Sequence, residues 1–147
     1  MRSAFTMIEL VFVIVILGVL ASVAIPKMVA TRDDAEVATG IQRLSGMITD
    51  IGGYYTAHGT FAEVPKMTRE ILMDSSKNRY EGNLTSPSYF GNTAMTRSCL
   101  KVVVDDSNGT LTISSASDGS SYCEALIKQS QSLLKVHKFG GSAVYGN

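Results

Sequence analysis

An apolar segment near the amino terminus limits what this chain can fold into more than any other feature of its sequence. Residues 10–26 form a run of 17 uncharged residues that is rich in valine, isoleucine and leucine. About 20 such residues cross a bilayer as a helix, whereas a continuous apolar run of this length is unusual for a β-strand. In lipid, a helix satisfies its own backbone hydrogen bonds. The sequence therefore predicts a single membrane-spanning helix.

A single acidic residue lies at the start of this segment. Glu9 is the only charged residue between Phe5 and Pro26, and a charge within a membrane span is a candidate functional group because lipid does not solvate it. Glu9 lies four residues after Phe5, and positions i and i+4 share one face of a helix. Proteolysis after Ala4 would place a new amine on Phe5, which Glu9 could neutralise in its own chain or in a neighbouring chain. The alternative is that Glu9 lies among lipid headgroups and has no specific partner.

Three interpretations of the apolar segment compete. It could be a secretory signal with the small residues 22–24 as its cleavage site, a plain anchor for an unrelated domain, or a helix that assembles with others after cleavage at Ala4. A cleaved secretory signal is disfavoured because the positive region is only residues 1–4 and because the apolar run is long and follows Glu9 directly. The third interpretation depends on the motif resemblance that is described below.

The charged residues are concentrated in the rest of the chain. The 147 residues contain 13 basic and 13 acidic side chains, so the net charge is 0, and residues 1–31 carry only three of these charges. This length suits one domain with an appendage. A balanced charge gives no electrostatic support for nucleic-acid binding, and we predict none.

A helical pattern continues beyond the apolar segment. Apolar residues recur at spacings of four and three, which mark one face of an amphipathic helix; they are Val37, Ile41, Leu44, Ile48, Ile51 and Tyr55. Pro26 has no amide hydrogen, so we expect it to bend or loosen the helix without ending it. Gly59 is a candidate C-cap residue. The predicted helix runs from Phe5 to about His58.

The second half of the chain predicts a small antiparallel sheet and a second helix. The segments CLKVVVDD and TLTIS flank Asn108-Gly109, a pair that favours a hairpin turn. A second helical pattern follows in residues 121–134, where Ser121 and Glu124 fit a capping box. The predicted fold class is α+β, with the long helix packed on a small antiparallel sheet and a C-terminal helix.

Weaker signals lie on either side of these elements. Residues 68–73 predict one or two helical turns that begin at Thr68. Pro65 disfavours helix at Val64, and residues 74–93 read as a long polar loop. The last ten residues could form a short strand.

The two cysteines and the acidic turn provide the remaining chemical signals. If the domain is exported, a disulfide between Cys99 and Cys123 is expected, and the alternative is two separate buried thiols. The sequence has no ligand spacing for a metal site, and we interpret DDSNG at residues 105–109 as a plain turn rather than a calcium loop. It also has no G-x-S-x-G motif or paired acid and base, so we predict no enzymatic activity, no metal and no cofactor.

The segment AFTMIELVFVIVILGVLASVAIPK resembles the prepilin-type cleavage and methylation motif. This motif marks type IV pilins and the pseudopilins of type II secretion and DNA-uptake machines. The resemblance is close over residues 1–31 and looser over residues 32–61. Several residues fall where the family places them: Phe5, Thr6, Glu9, Leu10, Gly18 and Pro26. The chain departs from the motif at Ala4, where the family usually has glycine.

The resemblance implies a division of the chain and a processing reaction. Residues 1–4 would be a leader, residues 5–27 the transmembrane and assembly half of the helix, residues 28–58 its amphipathic half, and residues 59–147 the globular domain. A prepilin peptidase would cut between Ala4 and Phe5 and would methylate the new Phe5 amine. Glu9 would pair with that amine on an adjacent subunit, and Pro26 would mark the bend of the helix.

The resemblance also implies partners and a location. The chain would polymerise with itself and related pilins in a helical fibre. A membrane platform protein and a cytoplasmic assembly ATPase would drive its assembly. Before assembly it would lie in the bacterial inner membrane, in contact with lipid, with its C-terminal domain in the periplasm. The alternative is a single-pass, membrane-anchored periplasmic domain with a binding or enzymatic role. Whether the machine is a pilus, a secretion pseudopilus or an uptake system stays open.

Overall fold

The computed structural model describes the backbone of residues 6–140, together with their side chains except those of residues 23–33. The chain divides into two compact units, Met1–Glu36 and Val37–Asn147. The processing site expected at Ala4 and Phe5 lies outside the described residues, and so do the last seven residues, in which we expected part of a short strand. The boundaries expected after residues 4, 27 and 58 stay predictions.

Helix α1 spans Met7–His58 and contains 52 residues. The long helix expected from the sequence is therefore confirmed, with its first turn at Met7 rather than Phe5. Gly59 follows the last residue of the helix; it has a positive φ of 75° and donates its amide hydrogen to the carbonyl oxygen of Tyr55 at 2.7 Å. Helix α1 continues through position 26. The bend expected at Pro26 stays a prediction.

The apolar face predicted for the second half of α1 is buried in the globular unit. Five of its six residues are buried and Ile41 is partly buried. The opposite face, which includes Ala38, Gln42 and Thr49, is exposed. The apolar face packs into one core with residues of the sheet and of a later helix; among them are Phe90, Leu100, Val102, Leu111, Ile113 and Leu126.

One antiparallel sheet of six strands lies at the centre of this unit. Its strand order is β2-β1-β3-β4-β5-β6, and each neighbouring pair is antiparallel. The strands are β1 Leu72–Met73, β2 Arg79–Tyr80, β3 Ser88–Gly91, β4 Ser98–Asp105, β5 Thr110–Ser115 and β6 Val136–Lys138. The predicted hairpin is confirmed as β4–β5, and Gly109 in its turn has a φ of 60°.

The region before the hairpin differs from the sequence prediction. Helix α2 spans Val64–Met67 and contains Pro65 in its first turn, where the missing amide hydrogen has no helical partner to lose. Thr68 is the C-cap of α2, so the helical turns expected to begin there are wrong. The polar loop expected over residues 74–93 is also wrong in part, because it contains β2 and β3.

Helix α3 spans Ser121–Gln129 and lies after the hairpin. Its N-cap is Ser120, whose side-chain oxygen accepts a hydrogen bond from the Cys123 amide at 3.3 Å. The capping box expected from Ser121 and Glu124 is therefore wrong by one residue. Helix α3 also ends before residue 134, and the chain continues through a turn to β6.

Candidate functional site

The first turn of α1 holds the residue that the sequence singled out. The Glu9 carboxylate accepts two hydrogen bonds from Thr6, from the backbone amide at 2.9 Å and from the hydroxyl at 2.8 Å. In return, the Glu9 amide lies 3.4 Å from the Thr6 hydroxyl oxygen. This reciprocal pattern is a capping box: the Thr6 amide gains the Glu9 carboxylate as its acceptor, while the Glu9 amide also donates to the carbonyl oxygen of Thr6 at 3.1 Å. The carboxylate is therefore directed towards the amino-terminal end of α1.

The contact between Thr6 and Glu9 is one that the sequence analysis did not predict. Their spacing is the T-x-x-E signature that precedes a helical apolar run, and this signature could have predicted the contact. The hydrogen bonds of Thr6 fix the position of the carboxylate within one chain. Both residues are exposed, so a cation could still reach the Glu9 carboxylate.

Apolar side chains surround α1 immediately after Glu9. Twelve large apolar residues between positions 7 and 20 are exposed, each by at least 43 %. They occupy almost every position of more than three turns, so no face of this stretch is covered by other residues that the structure describes. They are Met7, Ile8, Leu10, Val11, Phe12, Val13, Ile14, Val15, Ile16, Leu17, Val19 and Leu20.

In the part of the chain that the structure describes, no helix combines the length and the apolar character needed to cross a membrane.

The disulfide expected from the two cysteines is present. Cys99 in β4 is bonded to Cys123 in α3, and both residues are fully buried in the core. The bond therefore joins the sheet to α3. The Arg97 guanidinium, which lies directly before β4, is 5.7 Å from the centre of the Tyr122 ring in α3.

In the acidic turn at residues 105–109, two carboxylates accept hydrogen bonds from other groups of the chain. The Asp105 carboxylate accepts hydrogen bonds from the Ser107 hydroxyl, the Ser107 amide at 3.0 Å and the Asn108 side-chain amide at 2.6 Å. Asp106 accepts the amide hydrogen of Phe61 at 2.8 Å. Among the described residues, no group of three histidine, cysteine, aspartate or glutamate side chains has the arrangement of a metal site.

Comparisons of the chain with protein-family models, with curated protein sequences and with solved structures give no match. The assignment of a function therefore depends on the residues and the geometry described above.

Proposed function

We propose that this chain is a structural subunit of a type IV pilus or a type II secretion pseudopilus. A prepilin peptidase would cleave it after Ala4 and methylate Phe5, and the subunits would polymerise through their N-terminal helices. One observation carries the proposal: α1 is a single helix that is apolar and exposed on all faces near its start and buried on one face after Val37.

The exposed apolar stretch needs an environment other than water. Each large apolar side chain gains about 1.5–3 kcal/mol when it is buried, and contiguous exposed apolar surface marks an interaction site. We propose that lipid covers residues 7–20 before assembly and that the helices of other subunits cover them in the fibre. Because one apolar environment replaces another, the net driving force is modest, and a platform protein with a cytoplasmic ATPase would drive extraction from the membrane.

Glu9 would set the register between subunits. Its carboxylate is directed by Thr6 towards the amino-terminal end of α1, which is where a neighbouring Phe5 amine would lie if that subunit were displaced along the fibre axis. A charged group within an apolar core is costly unless it is matched. The pair would therefore favour one axial position over others rather than add greatly to the affinity.

The globular unit is compatible with this role. It has a pilin-like α+β fold, and its buried disulfide is typical of domains that fold in an oxidising compartment. The bacterial inner membrane, with this unit in the periplasm, is the location we propose.

Mass spectrometry of the protein from its native membrane tests the proposal. We expect the mature chain to begin at Phe5 and to carry one additional methyl group on its amino terminus. A chain that keeps Met1 would contradict the proposal and would favour a membrane-anchored binding or enzymatic domain. A chain that begins at Ile25 would contradict it too, because it would identify a cleaved secretory signal.

A further inference from the structure

A groove lies between α2 and the edge strand β2 of the globular unit. Its volume is about 270 Å³. Pro65 and Ile71 supply apolar surface to its lining, and Arg69 and Arg79 supply positive charge. The Tyr80 hydroxyl donates a hydrogen bond to the carbonyl oxygen of Asn83 at 2.6 Å, which holds this aromatic wall in place.

Most polar side chains of the groove already have partners. Glu70 accepts two hydrogen bonds from the Arg43 guanidinium, at 2.6 and 2.8 Å. The Thr68 hydroxyl lies 3.2 Å from the Asp50 carboxylate. The Glu70 Oε2 atom and the Thr68 hydroxyl are therefore already paired within the chain.

Arg69 is the charged residue of the groove that has no partner among the residues that the structure describes. Its exposed guanidinium has no hydrogen bond or ion pair with any residue in the described part of the chain. Arg79 has one such partner, since its Nε donates to the Glu81 carboxylate at 3.0 Å. Guanidinium groups with free N–H donors bind carboxylates in a fork geometry, so the groove can accept an acidic side chain whose apolar stem contacts Pro65 and Ile71.

The same chain carries acids without partners. Of the acidic side chains that the structure describes, nine hydrogen bond to a neighbour or pair with a base. The exceptions are Asp34, Glu36 and Glu124. Asp34 and Glu36 lie within one turn of α1, and both are exposed. They are about 200° apart around the helix, so a single groove would receive one of them.

We propose that Arg69 of one subunit binds Asp34 or Glu36 of a second copy in the fibre. This inference rests on the proposed function, and it adds a contact that involves the globular unit. The positive charge of Arg69 in the groove and the negative charges of Asp34 and Glu36 are complementary, so the occupant is a second copy of this chain. Charge pairs of this kind determine orientation and register more than total affinity.

Charge reversal in the full-length chain tests the contact. We expect Arg69→Glu to lower the yield of sheared fibres by about tenfold or more and to leave processing at Phe5 unchanged. One of two second changes, Asp34→Lys or Glu36→Lys, should restore the yield. Lys128→Glu is the control, because Lys128 is an exposed cation of α3 that does not line the groove. Its yield should equal that of the wild type.

The outcomes separate this inference from the proposed function. Normal fibres from Arg69→Glu, or a loss that neither acidic reversal restores, would overturn the contact alone. A wild-type chain that keeps Met1 and forms no fibre would overturn both. Circular dichroism of each purified variant checks folding. If a variant with reversed charge misfolds, Arg69→Ala replaces it as the test. This variant removes the charge without reversing it, so we expect a smaller loss of fibre yield.

Discussion

A Cβ atom on Gly40 in α1 would lie 2.6 Å from the phenolic oxygen of Tyr122 in α3. It would also lie 3.1 Å from a methyl carbon of Leu126. Glycine at this position therefore lets the two helices approach closely. Since Cys123 follows Tyr122 and is bonded to Cys99 in β4, α3 is held by α1 and by the sheet at adjacent residues.

We expect Gly40→Ala to lower the free energy of unfolding by about 1–2 kcal/mol. Overpacking against the buried Tyr122 costs about 1–3 kcal/mol, and the better helix propensity of alanine offsets up to about 1 kcal/mol of that. Gly46→Ala is the matched control, because a Cβ there has nothing within 4 Å. It should raise stability by up to about 1 kcal/mol. Urea unfolding of the full chain in detergent measures both, and equal effects would contradict the packing account.

We expect Arg43→Ala to destabilise the globular unit by about 2 kcal/mol. Arg43 pairs with Glu70, and the two side chains are only 19 % and 22 % exposed, so removal of the cation leaves a half-buried carboxylate without its partner. The Arg43 guanidinium also lies 5.2 Å from the centre of the Phe90 ring. Lys66→Ala breaks the exposed pair with Glu63 and should cost less than about 0.5 kcal/mol. Thermal unfolding compares the two, and a similar loss from both would be evidence against a special role for Arg43.

We expect loss of the disulfide to lower the free energy of unfolding by about 3–4 kcal/mol, since the bond closes a loop with a sequence separation of 24. The double variant Cys99→Ala/Cys123→Ala removes it. A reductant during denaturation should destabilise the wild type to a similar extent and should leave the double variant unaffected. An unfolding midpoint that does not respond to reductant would contradict this prediction.

We expect Glu9→Gln to insert normally in the membrane and to assemble poorly or not at all. Glutamine retains the size of the side chain and its hydrogen bonding, but it cannot neutralise an amine. Glu124→Gln is the control, because Glu124 is an exposed acid of α3 outside the first turn of α1. Fibre yield and membrane fractionation measure the two steps separately. Normal fibres from Glu9→Gln would exclude the proposed pairing.

We expect the contribution of Asp105 to stability to disappear at low pH. Hydrogen bonds from the side chains of Ser107 and Asn108 hold the pKa of Asp105 below its ordinary value of 3.8. Because the folded-state pKa is the lower one, the stabilisation is complete above the ordinary value and is lost as the pH falls through the folded-state value. The stability difference between wild type and Asp105→Asn should therefore shrink between about pH 5 and about pH 2. A difference that does not change with pH would contradict this.

Local periodicity was sufficient to predict the elements that are regular over many residues. The apolar face from Val37 to Tyr55 is buried on α1 as predicted, and the alternation around Asn108-Gly109 produced the β4–β5 hairpin. The chain has two cysteines, so only one disulfide pairing was possible within it. The sequence still allowed two separate thiols, and the fold decided for the bond by bringing β4 and α3 together. Of the candidate assembly site, the sequence identified Glu9, and the structure added its hydrogen bonds to Thr6.

The sequence by itself determined the long helix, its buried face and the hairpin, because each depends on residues that are neighbours along the chain. Tertiary structure decided the rest of the sheet. Strands β1 and β2 contain two residues each, too few for a periodic signal. They form because β1 pairs with both β2 and β3 in the sheet. Tertiary packing also explains why Pro65 lies in a helix, because the burial of Val64 and Met67 in the core stabilises α2. Short segments take their conformation from the surface against which they pack.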